Sequence, residues 1–336
     1  MKTYIIGEVG VNHNGSFKNA VKMIKVAKKC GVNAIKFQAA IPELGVSKNA
    51  QKARYQKNAT NDNESQLKML SKIHLPLEVF IKLKKICKNY KIDFLCSAFD
   101  EYSAEFLNNI GLNCFKIPSG EINNIPYLDQ IGKYKKKIIL STGMSTLREI
   151  STAITTLINA GTIKKNIILL HCVSEYPTLF KNVNLNLISK LKSKFGLKTG
   201  FSDHTVGIEA AIAAVAKGAT VIEKHFTLNK NLKGPDHSMS LEPIELKNLV
   251  DSIRNVEKSF GKDSKYLSLN EIRNKKIVRR SVVALTKIKK GEVYTVNNLG
   301  LKRPGTGLPP IYLKKIIGKR ADKNYTEDDL IKWKKR

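Results

Sequence analysis

The feature that most constrains this chain is a regular alternation of short apolar runs with amphipathic segments. Eight runs read TYIIGE, VNAIKFQ, IDFLCSAF, LNCFKI, KKIILST, NIILLHC, LKTGFS and ATVIEKHF. Between the first two, residues 17–31 place Ala20, Met23, Ile24 and Ala27 at helical spacing and end at a glycine. Eight strand–helix units in about 260 residues predict a (β/α)8 TIM barrel of the α/β class. A doubly wound sheet is the alternative, but no G-x-G-x-x-G motif follows the first run.

Three segments fall outside this pattern. Residues 39–75 are too long for an ordinary connection and predict an extended loop with a short helix, of the kind that shapes a site. Residues 261–277 are polar and typical of a linker. Residues 278–336 contain short apolar runs separated by turn signals and predict a compact β-rich domain. The expected organisation is a catalytic domain over 1–260, a linker over 261–277 and an accessory domain over 278–336.

The net charge of +31 raises the question of nucleic-acid binding. Only nine of the 59 basic residues are arginine, and the lysines are spread along helix-like segments, which is typical of a solvated surface. We therefore expect an anionic small substrate and no nucleic-acid partner. No apolar run has the length of a membrane span, the N-terminus lacks a signal-peptide pattern, and five scattered cysteines indicate reduced thiols, so a cytoplasmic location is expected.

Polar and charged residues lie at or just beyond the ends of the predicted strands. In a barrel of this type the active site is at the carboxyl ends of the strands. Burying an unpaired lysine or glutamate costs several kcal/mol, so a ring of such residues predicts a charged ligand. The residues are Glu8, Lys36, Gln38, Ser97, Lys116, Ser119, Glu121, Ser141, Tyr176, Ser202, His204, Glu223 and His225.

The two lysines in this set, Lys36 and Lys116, favour a phosphate-bearing substrate. Each lies inside an apolar run, and Ser-Gly and Ser-Thr-Gly turns nearby supply hydroxyl and backbone N–H donors. One alternative is that both lysines point away from the barrel. Another is that one of them forms a Schiff base, as in aldolases that act on pyruvate.

Two histidines end neighbouring strands, at GFSDHT (200–205) and TVIEKHF (220–226). Adjacent strands bring His204 and His225 within reach of one ion, although two unrelated loop histidines would give the same sequence pattern. Imidazole is a common ligand of borderline metals, and two imidazoles plus water would suit Mn²⁺, Mg²⁺ or Co²⁺.

The sequence resembles the bacterial sialic acid synthases over essentially its whole length. The matching motifs are EVGVNHNG (8–15), IKFQ (35–38), FKIPSGE (115–121), ILSTGM (139–144), GFSDHT, EKHFT (223–227), GPDHSMSLEP (234–243) and KRPGTG (302–307). The resemblance implies a TIM barrel followed by an antifreeze-like (SAF) domain. It implies condensation of phosphoenolpyruvate with an open-chain N-acetylated hexosamine, with C–O cleavage. It also implies a divalent cation and a domain-swapped homodimer in which the SAF domain caps the partner's active site.

The resemblance also implies roles for single residues. His204 and His225 would bind the metal, and Glu121 and Glu8 would be catalytic. Phosphoenolpyruvate would contact Lys36, Ser97, Lys116, Ser119, Ser141 and Ser202. The sugar would contact Gln38, Asn58, Tyr176 and Asp236, together with Arg303 from the partner subunit. Ser174 replaces an asparagine of some relatives, and His237 is a further candidate for a sugar contact.

The motifs leave the sugar open. We expect N-acetylmannosamine, which gives N-acetylneuraminate, with the 2,4-diacetamido-2,4,6-trideoxymannose of legionaminate as the alternative and a pseudaminate precursor as a third. Readings of other classes are a Schiff-base pyruvate aldolase and a basic nucleic-acid-binding protein. The small C-terminal domain is alternatively a mere oligomerisation module.

Overall fold

A computed structural model describes residues 2–60 and 64–333. The chain divides into two compact units, Met1–Phe260 and Gly261–Arg336. No helix in the described ranges is both long and apolar enough to cross a membrane. Each unit has a hydrophobic core of its own, so each is described separately.

The first unit is built around a closed parallel barrel, which confirms the predicted fold. Each strand pairs in parallel with the next along the chain, and the eighth pairs with the first. Within the described residues the strands are β1 (Tyr4–Gly10), β2 (Ala34–Ala39), β3 (Asp93–Ala98), β4 (Cys114–Ile117), β5 (Lys137–Ser141), β6 (Ile167–Cys172), β7 (Lys198–Asp203) and β8 (Val221–His225).

Helices cover the outside of the barrel, and their ends follow the capping signals in the sequence. Helix α1 starts after Ser16, whose hydroxyl accepts from the Asn19 N–H, and ends at Gly31 with φ 85°. Thr146 and Glu149 form the predicted capping box of α8. The barrel helices are α1 (Phe17–Cys30), α5 (Leu77–Asn89), α6 (Glu101–Asn109), α7 (Ile125–Lys133), α8 (Leu147–Asn159), α9 (Asn186–Phe195), α10 (Glu209–Ala216) and α11 (Pro243–Ser259).

The long connection after β2 is more helical than its sequence indicates. We expected one short helix in residues 39–75, whereas the described part contains α2 (Pro42–Gly45), α3 (Arg54–Thr60) and α4 (Gln66–Ile73). Pro42 opens α2 and the Ser65 hydroxyl caps α4, so local chemistry sets these boundaries. We call residues 39–75 the insertion.

The second unit contains the β-structure that the sequence predicts, in the form of short strands. Its described regular strands are β9 (Ser281–Ala284) and β10 (Leu299–Lys302), which pair antiparallel, and isolated bridges replace longer ladders. Residues 261–277, the expected linker, contain most of helix α12 (Leu269–Val278), which begins at a capping box formed by Ser268 and Glu271. A short helix, α13 (Leu313–Ile316), adds to a core of ten buried residues that includes Val282, Ile288 and Tyr325.

Candidate active site

The site arises from the two-residue period of the barrel strands. Seven of the eight strands place one apolar side chain inside the lower barrel, and the residue two positions later points the same way but one level higher. In β7 the lower position is Gly200, two residues before Ser202. The lower residues form a buried apolar cluster, and the upper residues line an open cavity. The pairs are Ile6 and Glu8, Ala34 and Lys36, Leu95 and Ser97, Cys114 and Lys116, Ile139 and Ser141, Leu170 and Cys172, and Val221 and Glu223.

Four of the upper residues carry charge and form the cavity floor. The Lys36 Nζ lies 2.7 Å from Glu8 Oε2 and 3.9 Å from Glu223 Oε2. The Lys116 Nζ lies 3.5 Å from Glu223 Oε1, which also accepts from the Ser202 hydroxyl at 3.0 Å. All four side chains are buried. The predicted inward direction of both lysines is therefore what the structure shows, and the alternative in which they point outward is wrong.

Burial and the attraction between opposite charges have opposing effects on the pKa values of the floor residues. Burial opposes the ammonium form of Lys36, but the carboxylates of Glu223 and Glu8 outweigh it and raise its pKa. Burial lowers the pKa of Lys116 despite the nearby Glu223. Burial raises the pKa of Glu8 to about 7, although Lys36 opposes the shift. Because Glu8 is only partly ionised near neutral pH, the carboxylates do not fully compensate the two lysines, and the floor suits an incoming anion.

Hydroxyl groups converge beside the floor around Gly143, which follows β5. The Gly143 N–H donates to Ser119 Oγ at 3.0 Å, and Ser119 Oγ lies 3.2 Å from Cys172 Sγ. A Cβ at Gly143 would lie 2.4 Å from Ser174 Oγ and 2.9 Å from Ser119 Oγ, so a side chain here would displace these hydroxyls. Small donors packed this closely, without carbon between them, make a pocket of the type that holds phosphate oxygens.

His204 and His225 lie above the floor, with ring centroids 5.6 Å apart. Burial lowers the pKa of His204 to about 4 and holds the pKa of His225 well below its ordinary value, so both rings are neutral. The His204 Nδ1 lies 2.7 Å from the Val173 carbonyl, which fixes that nitrogen as the donor and leaves a lone pair on Nε2. The His225 Nδ1 has no hydrogen-bond partner among the described residues.

Neutral imidazoles with available nitrogens are the form that binds metal ions, so the two rings fit the expected cation. Within the described ranges, no group of three or more histidine, cysteine or acidic side chains is arranged to hold a metal. The protein therefore offers two histidines rather than a closed cage. Asp236 Oδ2 lies 3.9 Å from His225 Nδ1, and burial raises the pKa of Asp236 to about 6.

The structure brings together most of the residues singled out in the sequence. Thirteen line one cavity of about 440 Å³, namely Glu8, Lys36, Gln38, Ser97, Lys116, Ser119, Glu121, Ser141, Tyr176, Ser202, His204, His225 and Asp236. The Asn58 side chain lies outside the described residues. Arg303 lies in the second unit, just after β10, and is exposed. His237 is buried off the cavity wall, with Nδ1 2.7 Å from the Thr227 hydroxyl.

Asp203, in the same GFSDHT motif as His204, has a structural role. Its Oδ1 accepts from the Thr205 N–H and hydroxyl, both at 2.8 Å, and its Oδ2 pairs with Lys224 Nζ at 2.8 Å. The carboxylate therefore fixes the turn that carries His204, rather than orienting the imidazole directly.

Several residues that line the same cavity have no role predicted from the sequence. Glu223 was visible at the end of β8, but its position between two lysines was not. Tyr55 belongs to the insertion, and its ring lies 4.8 Å from that of Tyr176, which lies 4.2 Å from His204. Other insertion residues on the wall are Ile41, Pro42, Val46, Gln56, Gln66, Leu70 and His74. No strand-end signal marks them, because the folding of the insertion alone brings them to the cavity.

Comparison with known proteins agrees with this arrangement. Residues 23–265 match the NeuB family and residues 279–335 match the SAF domain. The chain is 49% identical to the N,N'-diacetyllegionaminic acid synthase of Campylobacter jejuni, over 98% of this chain and 99% of the relative. It is 40% identical to the synthase of the same name from Legionella pneumophila, over 99% and 94%.

A solved structure gives the same result at the level of the fold. The N-acetylneuraminic acid synthetase of Leptospira borgpetersenii, crystallised with citrate, has a TM-score of 0.70 and 33% identity, over 82% of this chain and 90% of that chain. These similarities confirm the resemblance drawn from the motifs. The chain belongs to the NeuB family and is an enzyme of the transferase type.

Proposed function

We propose that this enzyme condenses phosphoenolpyruvate with open-chain 2,4-diacetamido-2,4,6-trideoxymannose and water, giving N,N'-diacetyllegionaminic acid and phosphate. The observation that carries the choice of sugar is the end-to-end similarity to the Campylobacter jejuni synthase of that product. This reverses the order of sugars expected from the motifs. N-acetylmannosamine is the second candidate, favoured by the likeness to the Leptospira synthetase.

The charged floor supports phosphoenolpyruvate as the first substrate. Lys36 and Lys116 would face its carboxylate and phosphate. The hydroxyls of Ser119, Ser141 and Ser202 would lie around these two anionic groups. Binding the substrate replaces the contacts of the lysines with Glu8 and Glu223 by contacts with a more highly charged anion. The lysines then stabilise negative charge through every later step.

The two neutral histidines, His204 and His225, would hold a divalent cation such as Mn²⁺, Mg²⁺ or Co²⁺. Such an ion supplies Lewis-acid polarisation of the sugar aldehyde when bound. Two protein ligands leave coordination positions for substrate oxygens. Removal of divalent ions with a chelator should abolish turnover, and adding back each metal in turn would identify the effective one.

The reaction joins C3 of phosphoenolpyruvate to the aldehyde carbon while water adds at C2. The tetrahedral product then loses phosphate by cleavage of the C2–O bond, leaving a 2-keto acid. Glu121 lines the cavity and its Oε2 accepts from the Asn124 amide at 2.8 Å, which holds the carboxylate in one orientation. We assign to it the removal of a proton from the attacking water, with Glu8 supporting Lys36 beneath.

The Glu121→Gln variant tests this assignment. Glutamine keeps the size and can still accept from Asn124, but it cannot take a proton. We expect kcat to fall on the order of 100-fold or more, with the phosphoenolpyruvate Kd changed less than about threefold. In ¹⁸O-labelled water the label should enter C2 of the product; label in phosphate would contradict C–O cleavage.

One assay separates the candidate sugars. Wild-type enzyme with phosphoenolpyruvate and Mn²⁺ should show a higher kcat/KM for the diacetamido sugar than for N-acetylmannosamine. The opposite preference would make the enzyme an N-acetylneuraminate synthase. Inactivation by borohydride in the presence of pyruvate would instead indicate a Schiff-base aldolase.

We also propose that the enzyme is a domain-swapped homodimer in which Arg303 of one subunit reaches the sugar bound to the other. Helix α12 supports an association of this kind. None of its side chains is buried, although Leu269, Ile272 and Ile277 are apolar. Exposed apolar side chains on a helix of otherwise polar composition are typical of a surface that packs in an assembly.

A further inference from the structure

The insertion presents a pair of amide side chains whose free ends are complementary to an amide. Gln56, in α3, and Gln66, at the start of α4, both line the cavity. Gln66 Nε2 donates to Gln56 Oε1 at 3.3 Å, so the two side chains are joined end to end. Gln56 is 8% exposed, which makes its remaining hydrogen-bonding capacity costly to leave unused.

The orientation of this pair is fixed by the backbone. The Ala53 N–H donates to Gln56 Oε1 at 3.0 Å, and a backbone N–H can only donate. Gln56 Oε1 is therefore the acceptor, and Gln66 must turn its nitrogen toward it. The ends left over are the Gln56 nitrogen and the Gln66 carbonyl oxygen. The Gln56 nitrogen carries two hydrogens, so one remains even beside the neighbouring Tyr55 hydroxyl.

Apolar residues of the insertion line the same cavity as this donor and acceptor. Leu70 is one turn after Gln66 on the same face of α4 and also lines the cavity. Ile41 and Val46, from the start of the insertion, line the same cavity. An acetamido group consists of one carbonyl acceptor, one N–H donor and one methyl group, and this wall offers a partner for each.

The order of residues along the wall also fits an open-chain sugar. Tyr176 lies against His204, and Tyr55 lies against Tyr176. Gln56 follows Tyr55 directly in α3 and lines the same cavity, so the amide pair belongs to the insertion wall that carries the outer ring of this stack. An open-chain sugar with its aldehyde at the histidines would extend its C4 substituent away from them and toward the insertion.

We infer that Gln56, Gln66 and Leu70 form a subsite for the C4 acetamido group of the sugar and thereby select a diacetamido substrate over N-acetylmannosamine, which has a hydroxyl at C4. The inference rests on the proposed function. The Gln56 nitrogen donates to the acetamido carbonyl, the Gln66 oxygen accepts from its N–H, and the methyl group packs on Leu70. A C4 hydroxyl leaves the apolar part of this wall without a partner.

Two substitutions test the subsite with three sugars. Gln66→Met keeps the length of the side chain and removes both polar ends, and Leu70→Asn removes the apolar surface. The sugars are 2,4-diacetamido-2,4,6-trideoxymannose, N-acetylmannosamine and 2-acetamido-2,6-dideoxymannose. Each variant should lower kcat/KM for the first sugar about tenfold and change it less than about threefold for the two sugars without a C4 acetamido group.

Matched controls lie on the same insertion. Gln51→Met and Leu44→Asn change exposed residues that do not line the cavity, and they should leave all three values unchanged. The phosphoenolpyruvate Kd of each variant reports whether the barrel is intact.

The outcomes separate the two hypotheses. Wild-type enzyme without activity on the diacetamido sugar would overturn the proposed function and the subsite with it. Wild-type enzyme that prefers this sugar, with variants that lose activity equally on all three sugars or on none, would overturn the subsite alone. A variant with selective loss on the diacetamido sugar supports the subsite.

Discussion

Lys116 shows how one buried charge serves the site. The Lys116 residue is 3% exposed, and its ammonium group lies 3.5 Å from the Glu223 carboxylate. The Lys116→Met variant would leave Glu223 with the more distant Lys36 and remove a cation from the anion site. We expect the Kd for phosphoenolpyruvate, measured by calorimetry, to rise about 30-fold or more. Lys133→Met, which removes a surface lysine paired with Asp129, is the control and should change nothing; an unchanged Kd in Lys116→Met would exclude that lysine from the anion site.

His13 makes the stability of the barrel sensitive to acid. The side chain is fully buried, and burial lowers its pKa from 6.5 to about 3. Between pH 6.5 and about pH 3, the unfolded chain therefore binds a proton at His13 that the folded chain does not bind. The free energy of unfolding falls as the pH drops through this range. The loss attributable to His13 should reach about 2 kcal/mol at pH 5.

The His13→Gln variant isolates this effect. Urea unfolding at pH 7 and pH 5 should show a smaller pH-dependent loss in the variant than in the wild type, by about 2 kcal/mol. His74, whose pKa burial lowers to about 4, would maintain part of the acid sensitivity in both proteins. Equal losses in both proteins would show that His13 is protonated in the folded state.

Single residues could be predicted from the sequence where position along a strand was enough. Lys36, Ser202 and His225 each lie at the end of an apolar run or within two residues of it, and the barrel then determines where they meet. Gln66 and Leu70 could not be predicted, because their approach to the cavity depends on how three short helices pack. The pairing of Glu223 with two lysines depends on distances between strands that a run of residues does not encode.

Gly200 in β7 lies where neighbouring strands pack closely, so its substitution tests this packing. A Cβ at this position would lie 2.3 Å from the Val221 carbonyl oxygen and 2.6 Å from Leu170 Cδ2. A backbone atom cannot move aside cheaply, so Gly200→Ala should destabilise the first unit by about 3 kcal/mol. Gly120→Ala, where a Cβ meets nothing within 4 Å, should leave stability unchanged. Equal melting temperatures for both variants in calorimetry would contradict this account.

Helices and strands could be predicted where local sequence signals favour the same structure that the barrel requires. All eight strands and the capping box of α8 follow from periodicity and capping residues. The second unit was less predictable, because its short apolar runs form isolated bridges and turns instead of full strands. Helix α12 was missed because its polar composition obscured the Ser268–Glu271 capping box.

At the scale of the whole molecule, the proposed dimer predicts that two defective subunits can restore one active site. Arg303→Ala should raise the sugar KM, and Lys116→Met should remove phosphoenolpyruvate binding. In a dimer formed from one chain of each kind, the barrel of the first would receive the intact Arg303 of the second. Co-expression with two different affinity tags, followed by purification on both, should then give heterodimers with about half of the wild-type activity.

The controls for this experiment are each variant alone and a mixture of the two after separate purification. Light scattering should give twice the mass of the 37.6 kDa chain. A monomeric mass, or a co-expressed mixture no more active than its components, would show that each subunit completes its own site.

The insertion is held together largely by its own contacts, and this has a consequence for sugar preference. Ser71 donates to Glu43 at 3.1 Å, the Gln66 N–H lies 3.4 Å from the Ala50 carbonyl, and Gln66 bonds to Gln56. The floor residues, in contrast, are spread over all parts of the barrel and depend on its complete assembly. On the proposed subsite of Gln56, Gln66 and Leu70, change within this one contiguous segment would alter sugar preference and leave the residues expected to bind phosphoenolpyruvate as they are.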